Sequence, residues 1–342
     1  MAGEFSRRTF VKAAGVAGLA GLSGDVLAQQ QRLTWFAGGT GGTYFPLSNQ
    51  FKQVVEQNTD FTLQVQSTGA SVENVGGLAQ GQADFALIQN DVAFFAYNGT
   101  GIEEFQGNAV KSLRGVATLY PETIHIVTLQ GSNIETLQDL EGATINTGDL
   151  GSGTQVNALQ ILEAVGIQQN DFTEQNTGFS QAADQLQNGD IDAAFVVGGW
   201  PVGAIEELAT TNDIAFVEIT DETRQNLKSQ ARWFADDTIP PNTYSGQSEP
   251  VQTVAVQAMI ATREDVSADT VQAVTEAIFS NLDQISLKQQ FIGRDSALDG
   301  MSIPLHPGAR QIFGPATTAG GNQTAGNETT GTGTETTGTP QG

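Results

Sequence analysis

A chain of 342 residues with 38 Asp and Glu against 14 Lys and Arg, and no cysteine, is long enough for roughly two domains. It lacks the basic footprint that nucleic acid requires, and any thiol for a disulfide, a metal site, a nucleophile or a bacterial-type lipid anchor. Only five of the basic residues are Lys. An acidic, Lys-poor chain that still patterns as globular resembles a halophile's protein, because in molar salt the Debye length falls to about 3 Å and self-repulsion is screened; the alternative is an acidic mesophilic protein.

In chain order, residues 1–28 read as a leader. Ser6-Arg7-Arg8-Thr9-Phe10-Val11-Lys12 precedes a modest apolar run and then Val26-Leu27-Ala28. This predicts a twin-arginine export signal cleaved after Ala28, hence an extracytoplasmic location at the cell surface or in a periplasm-like space. The run is shorter than the roughly 20 apolar residues a membrane span needs, and no later segment reaches that length. Residues 33–37 pattern as a buried strand and lead into Gly38-Gly39-Thr40-Gly41-Gly42-Thr43-Tyr44. A helix follows with Leu47, Phe51, Val54 and Val55 on one face. Residues 61–66 alternate as a half-buried strand, Ser71 is expected to cap a second helix, and 84–88 return as a strand. Residues 113–119 and 123–129 read as two strands interrupted at Tyr120-Pro121-Glu122, where the first crossing between lobes is expected.

Beyond this point the pattern repeats. Gly41 and Gly151, Ser71 and Ser180, and Asp84 and Asp192 are separated by 110, 109 and 108 residues. Three ordered matches at a nearly constant offset predict two α/β lobes of one plan, each with a Gly-rich helix start, around a shared cleft. The expected division is 32–120 with 225–314 for lobe I and 121–224 for lobe II. Strands are expected at 143–146, 193–197, 215–219 and 253–261. Helices are expected at 154–165, closed by Gly166, and at 267–282. Residues 315–342 are Thr, Gly, Asn and Glu with almost no apolar side chain and read as a disordered tail. Asn98, Asn322 and Asn327 begin candidate glycosylation sequons.

Neither Gly-rich loop is a nucleotide-binding motif, because no Gly-Lys-Ser/Thr follows and Tyr44 occupies the third glycine position of a dinucleotide fingerprint. Two readings stay open. Exposed N–H groups at two helix starts suit the ends of a small carboxylate or dicarboxylate, or the glycines serve only tight turns. Catalytic signals are poor. His125 lies inside a strand pattern as a packed residue, and His306 sits in a Pro-flanked extended segment. Asp190 and Asp192 flank a strand start, and there is no Gly-x-Ser-x-Gly elbow or metal spacing. No catalytic residue, metal or cofactor is assigned, and the chain reads as a non-enzyme.

Several segments resemble the TAXI family of substrate-binding proteins. They are GGTGGTYFPL (38–47), STGASVENVGGLAQGQADFALIQNDV (67–92), LYPETIHIV (119–127), GDLGSGTQVNALQILEAVGI (148–167), 189–205, IPPNTYSG (239–246) and PLHPGA (304–309). These proteins are the receptors of tripartite ATP-independent periplasmic (TRAP) transporters. The resemblance covers about residues 33–313. It implies an α/β, two-lobe type II periplasmic-binding-protein fold with the ligand in the interlobe cleft. It also implies capture of a small organic acid or amino acid of the glutamate, glutamine or 2-oxoglutarate class, and delivery to a membrane permease subunit, through which alone the protein meets the membrane.

Carried onto this sequence, the resemblance implies ligand contacts from Thr40, Gly41, Gly42, Thr43, Tyr44, Ser67, Thr68, Gln89, Asn90, Tyr120, Ser152, Gly153 and Thr154. Residues 197–200, including Gly198 and Trp200, are expected to form a wall. Trp200 stands where a small residue is expected and leaves the ligand's size open. The twin-arginine leader, the absent anchoring cysteine and the Thr/Gly tail also depart from the family's usual form. Hinge closure is expected near Tyr120 and around 220–235. Alternatives are a sensory receptor of the same fold, an exported enzyme, which predicts ligand turnover, and a structural surface protein, which predicts no saturable ligand.

Overall fold

The computed structural model describes residues 31–314; the expected leader and tail lie outside the described residues. The first half contains β1 (Gln31–Phe36), α1 (Tyr44–Asn58), β2 (Phe61–Gln66), α2 (Ser71–Ala79), β3 (Phe85–Gln89) and α3 (Asn90–Asn98). Strand β4 (Leu113–Leu129) then crosses to β5 (Thr144–Asn146), α4 (Gly153–Ala164), β6 (Thr173–Gln175), α5 (Phe179–Asn188) and β7 (Ala193–Gly198). The chain continues through α6 (Gly203–Thr211), β8 (Ile214–Phe216), α7 (Asp221–Gln230), β9 (Ala235–Ile239), β10 (Val251–Arg263), α8 (Ala268–Ser280) and α9 (Pro307–Phe313).

The strands join in the order β2-β1-β3-β10-β4-β7-β5-β6, with β8 on β4 and β9 on β10. The repeat seen in the sequence is therefore a repeat of structure. In one half β1 pairs in parallel with β2 and β3, and in the other β5 pairs in parallel with β6 and β7. Each half is a strand–helix–strand–helix–strand unit, and each is flanked by one long antiparallel strand, β10 beside β3 and β4 beside β7. The same two strands pair with each other, so β4 and β10 carry the chain through both lobes.

The break expected at Tyr120-Pro121-Glu122 is absent. Strand β4 runs unbroken for 17 residues. The register jumps from Gln257–Pro121 to Met259–Thr118, so Leu119 and Tyr120 together face the one residue Ala258, a β-bulge. A proline is tolerated there. The bulge interrupts the ladder beside it, and the Gln257 N–H pairs with the Asn90 side-chain oxygen (3.0 Å) instead of with β4. The return crossing also lies later than the expected 225. Leu227, Ala231 and Phe234 pack with Ile145, Ile161 and Phe195 in the second lobe's core, as do Val254 and Val256. We place that crossing within β10.

Each lobe has its own core. In the first, Leu47, Phe51, Val54 and Val55 of α1 are all buried on the face the periodicity predicted. Phe51 meets Trp35 edge-on and Phe85 stacks on it, with centroids 5.8 and 5.5 Å away. Each such side chain contributes about 1.5–3 kcal/mol on burial. The Trp35 indole N–H donates to Ser48 Oγ (2.9 Å), which satisfies its polar atom inside the core. Helix α2 begins at Ser71 itself with Ala70 as its cap residue, one position earlier than expected. No helix among the described residues is long and apolar enough to cross a membrane.

Candidate functional site

In both halves the first strand ends at the cleft and a loop carries the chain into a helix, so α1 and α4 begin on opposite sides of one cavity. At α4 the Ser152 side chain accepts the Gln155 N–H (3.1 Å). The Gly153 and Thr154 N–H groups precede the first intrahelical bond, Val156 to Ser152, and are the unpaired donors of a helix start. A side chain at either loop would have to displace one from the opposite lobe. A Cβ on Gly41 would fall 2.4 Å from Ser180 Oγ of the opposite lobe, and one on Gly153 would fall 1.9 Å from Gln89 Oε1. The two Gly-rich loops therefore let the lobes approach closely, which neither sequence reading of them anticipated.

The lobes are held together across the cleft by polar contacts. Val72 N–H donates to Gly151 O (3.2 Å), Ala204 N–H to Gly41 O (3.3 Å) and Thr43 Oγ1 to Gly199 O (3.4 Å). Lys288 Nζ donates to the Trp200 and Pro201 carbonyls (2.8 and 3.0 Å). The Asn157 amide of α4 donates to Asp91 Oδ2 of α3 (2.7 Å).

The cavity between the lobes has a volume of about 60 Å³. Of the residues implied by the resemblance, Gly41, Gly42, Thr43, Tyr44, Gln89, Ser152, Gly153 and Thr154 line it. The others do not. Thr40 lies in an outer depression with Glu206 and Lys288. Ser67 and Thr68 donate to the Gly38 and Ala37 carbonyls and hold the first loop in place. Asn90 donates to Gly300 O and accepts from Gln257, tying α3 to the crossing strand. Tyr120 is fully buried beneath the cavity, and Gly198 packs under Thr43. Trp200 forms no wall. Its ring sits edge-on to Phe291 with centroids 5.7 Å apart; of the expected wall 197–200 only Val197 lines the cavity, joined by Phe179.

The sequence reading missed Glu122, Asp149 and Phe179 as lining residues. Glu122 is 3% exposed. It accepts the Tyr44 hydroxyl at Oε2 (3.0 Å) and the Tyr120 hydroxyl at Oε1 (3.3 Å). Burial pushes its carboxyl up to about 8, and the Asp91 charge adds to this, against hydrogen bonds from Tyr44, Gln89 and Tyr120 that favour the ionised form. Burial also raises Asp91 to about 6. The signal for Glu122 was in the sequence: it is the one carboxylate in a 17-residue run otherwise made almost wholly of apolar and hydroxyl side chains.

The two histidines take no part. His125 is fully buried, its Nδ1 lies 3.0 and 3.1 Å from the Thr123 and Val196 carbonyls, and its Nε2 lies 2.9 Å from the Tyr244 hydroxyl. Two carbonyls at Nδ1 place the ring proton there, so Tyr244 donates to Nε2. The same hydroxyl accepts the Val202 N–H (3.0 Å). His306 caps α9 through Nδ1. Among the described residues no three His, Cys, Asp or Glu side chains gather as a metal site. The cavity thus offers helix-start N–H groups next to buried oxygen acceptors, an arrangement that suits binding.

A family model described as the NMT1-like family matches residues 36–314. The chain belongs to the NMT1-like family. Among solved structures, this NMT1-like protein is similar to a protein of Bordetella bronchiseptica RB50 at 14% identity, over 84% of this chain and 85% of that chain, with a TM-score of 0.51. It is also similar to a putative L-cystine ABC transporter protein from Listeria monocytogenes (15% identity, 78% and 98% covered, TM-score 0.48). A third is the amino acid ABC transporter substrate-binding protein AbpA from Streptococcus pneumoniae, bound to L-arginine (13%, 76% and 92%, 0.44). At these identities the likeness is one of fold. The NMT1-like protein has the mixed α/β, two-lobe fold that the sequence resemblance implied.

Proposed function

We propose that this NMT1-like protein is the extracytoplasmic solute receptor of a TRAP transporter of the TAXI type. It captures a small organic acid or amino acid, of the glutamate, glutamine or 2-oxoglutarate class, and delivers it unchanged to a membrane permease subunit. The observation that carries this reading is the pairing of two like lobes around a cavity into which the α4 helix start, Gln89 and Glu122 all face. A helix N-terminus with unpaired N–H groups favours a carboxylate. The ordered sequence motifs supply the TRAP assignment and the permease partner. Residues 1–28 act as the twin-arginine signal, and β4 with β10 act as the hinge about which the lobes open and close.

The test is thermal unfolding of the protein in molar KCl against a panel of amino acids and dicarboxylates. A ligand at about 100 times its Kd adds about 2.7 kcal/mol of stability. A shift with one compound, recovered chemically unchanged, supports the receptor. Turnover of that compound identifies an enzyme instead, and a flat panel rejects the proposed ligand class.

A further inference from the structure

We infer that Glu122, together with Gln89 Oε1, seats the ammonium group of the ligand, and that the ligand is therefore an α-amino acid and not an amine-free acid. This rests on the receptor reading above and names its substrate class.

Glu122 lines the cavity and is buried, yet none of the ion pairs among the described residues includes it. Its donors are neutral: the hydroxyls of Tyr44 and Tyr120, and a hydrogen bond from Gln89. The buried cation on this side of the fold, Lys288, spends its ammonium on the Trp200 and Pro201 carbonyls. A buried carboxyl without a cation keeps its proton, and an ammonium group placed against it is what allows it to ionise. Gln89 adds a second, independent demand. It is 3% exposed, it lines the cavity, and its Oε1 has no hydrogen-bond partner. Both groups ask for a donor, and an ammonium group brings three with a positive charge.

The placement selects the α-amino acid. Gly153, which opens α4 with its unpaired N–H, lies directly against Gln89 Oε1, since a Cβ there would be 1.9 Å from it. The anion-seeking and cation-seeking parts of the cavity are thus neighbours, as the carboxylate and ammonium of an α-amino acid are. A 2-oxo acid of the same side chain keeps the carboxylate but brings a carbonyl oxygen, which meets Gln89 Oε1 as acceptor against acceptor and gives Glu122 no cation.

The experiment is titration calorimetry on the full chain in molar KCl. The probes are L-glutamate, L-leucine, L-alanine and L-phenylalanine, each beside its 2-oxo acid (2-oxoglutarate, 4-methyl-2-oxopentanoate, pyruvate, phenylpyruvate). The compound that binds is expected to be an amino acid, about tenfold or more tighter than its 2-oxo partner. In Glu122→Gln that preference is expected to vanish, while residual binding of the 2-oxo acid is kept. The wild-type comparison alone decides if the variant fails to fold. Equal or tighter binding of the 2-oxo acid by wild type overturns the assignment and leaves the receptor standing, as does an equal loss for both in Glu122→Gln. Saturable binding of none of the probes overturns both.

Discussion

The Tyr44 hydroxyl, on the first residue of α1, donates to Oε2 of Glu122 in the middle of the crossing strand β4, at 3.0 Å. The contact joins the Gly-rich loop of lobe I to the strand shared by both lobes, with both partners buried. Glu122 titrates at about 8 in the fold against about 4.5 when free, so between these values the folded chain holds a proton that the unfolded chain has lost. Stability then falls with rising pH across that window. Asp91, raised to about 6, acts in the same direction below pH 6, and His125, lowered to about 4, opposes both up to pH 6.5. Lys288, lowered to about 8, makes stability rise only above that value. Between pH 6.5 and 8 Glu122 therefore dominates. The unfolding free energy is expected to fall across this interval with a slope approaching about 1.4 kcal/mol per pH unit, and the melting temperature with it. Glu122→Gln is expected to flatten it; a fall of equal slope in the variant contradicts the assignment.

Asn157 of α4 donates to Asp91 of α3 across the lobe interface with both side chains buried. Asn157→Leu removes the donor and leaves a buried carboxyl facing an apolar group. The expected loss is about 1–3 kcal/mol in denaturant unfolding at neutral pH. At pH 5, below the raised Asp91 value, the loss is expected to shrink, because the protonated carboxyl costs less to bury. A pH-independent loss argues against a charged Asp91.

Tyr244 satisfies two groups at once, the His125 ring and the Val202 N–H that opens the α6 segment. Tyr244→Phe leaves both buried and unpaired. It is expected to cost about 1–3 kcal/mol in chemical unfolding. Because Tyr244 packs behind the cleft wall and does not line it, the preference between amino acid and 2-oxo acid is expected to be unchanged. A changed preference would place Tyr244 in the ligand site.

The formal charge of −24 at pH 7 has a solution consequence. The Debye length shrinks from about 10 Å at decimolar salt to about 3 Å at molar salt, which screens the acidic surface against itself. The melting temperature is expected to rise steadily as KCl goes from decimolar to molar. The ion pairs offer little counterweight, because most include a partly exposed carboxylate and such pairs contribute about 0–1 kcal/mol each. A melting temperature that falls with KCl contradicts the halophilic reading of the composition.

The lobes were legible because a repeated strand–helix–strand unit must repeat its apolar spacing and its glycine turns, as Gly41 with Gly151 and Asp84 with Asp192 do. The face of α1 and the packed role of His125 followed from periodicity in the same way. What the sequence concealed were features set by long-range register. The bulge at Leu119 and Tyr120 keeps a proline inside a continuous strand, so Tyr120-Pro121-Glu122 read as a break and Glu122 as a turn residue. Trp200 was misplaced because its position depends on Phe291, 91 residues away in sequence. Leu227 and Phe234 were assigned to the first lobe because helix periodicity shows which face is buried and not which core buries it.

Calorimetric titration of wild type and Gly153→Leu with the amino acid that raises the melting temperature most directly tests binding in this cleft. Gly153 opens α4, and a side chain there must displace that of Gln89. The wild type is expected to bind one ligand per chain and return it unchanged, whereas Gly153→Leu is expected to unfold cooperatively and bind nothing. Undiminished binding by Gly153→Leu, or chemical conversion of the ligand by wild type, contradicts a receptor that holds its solute between the two lobes.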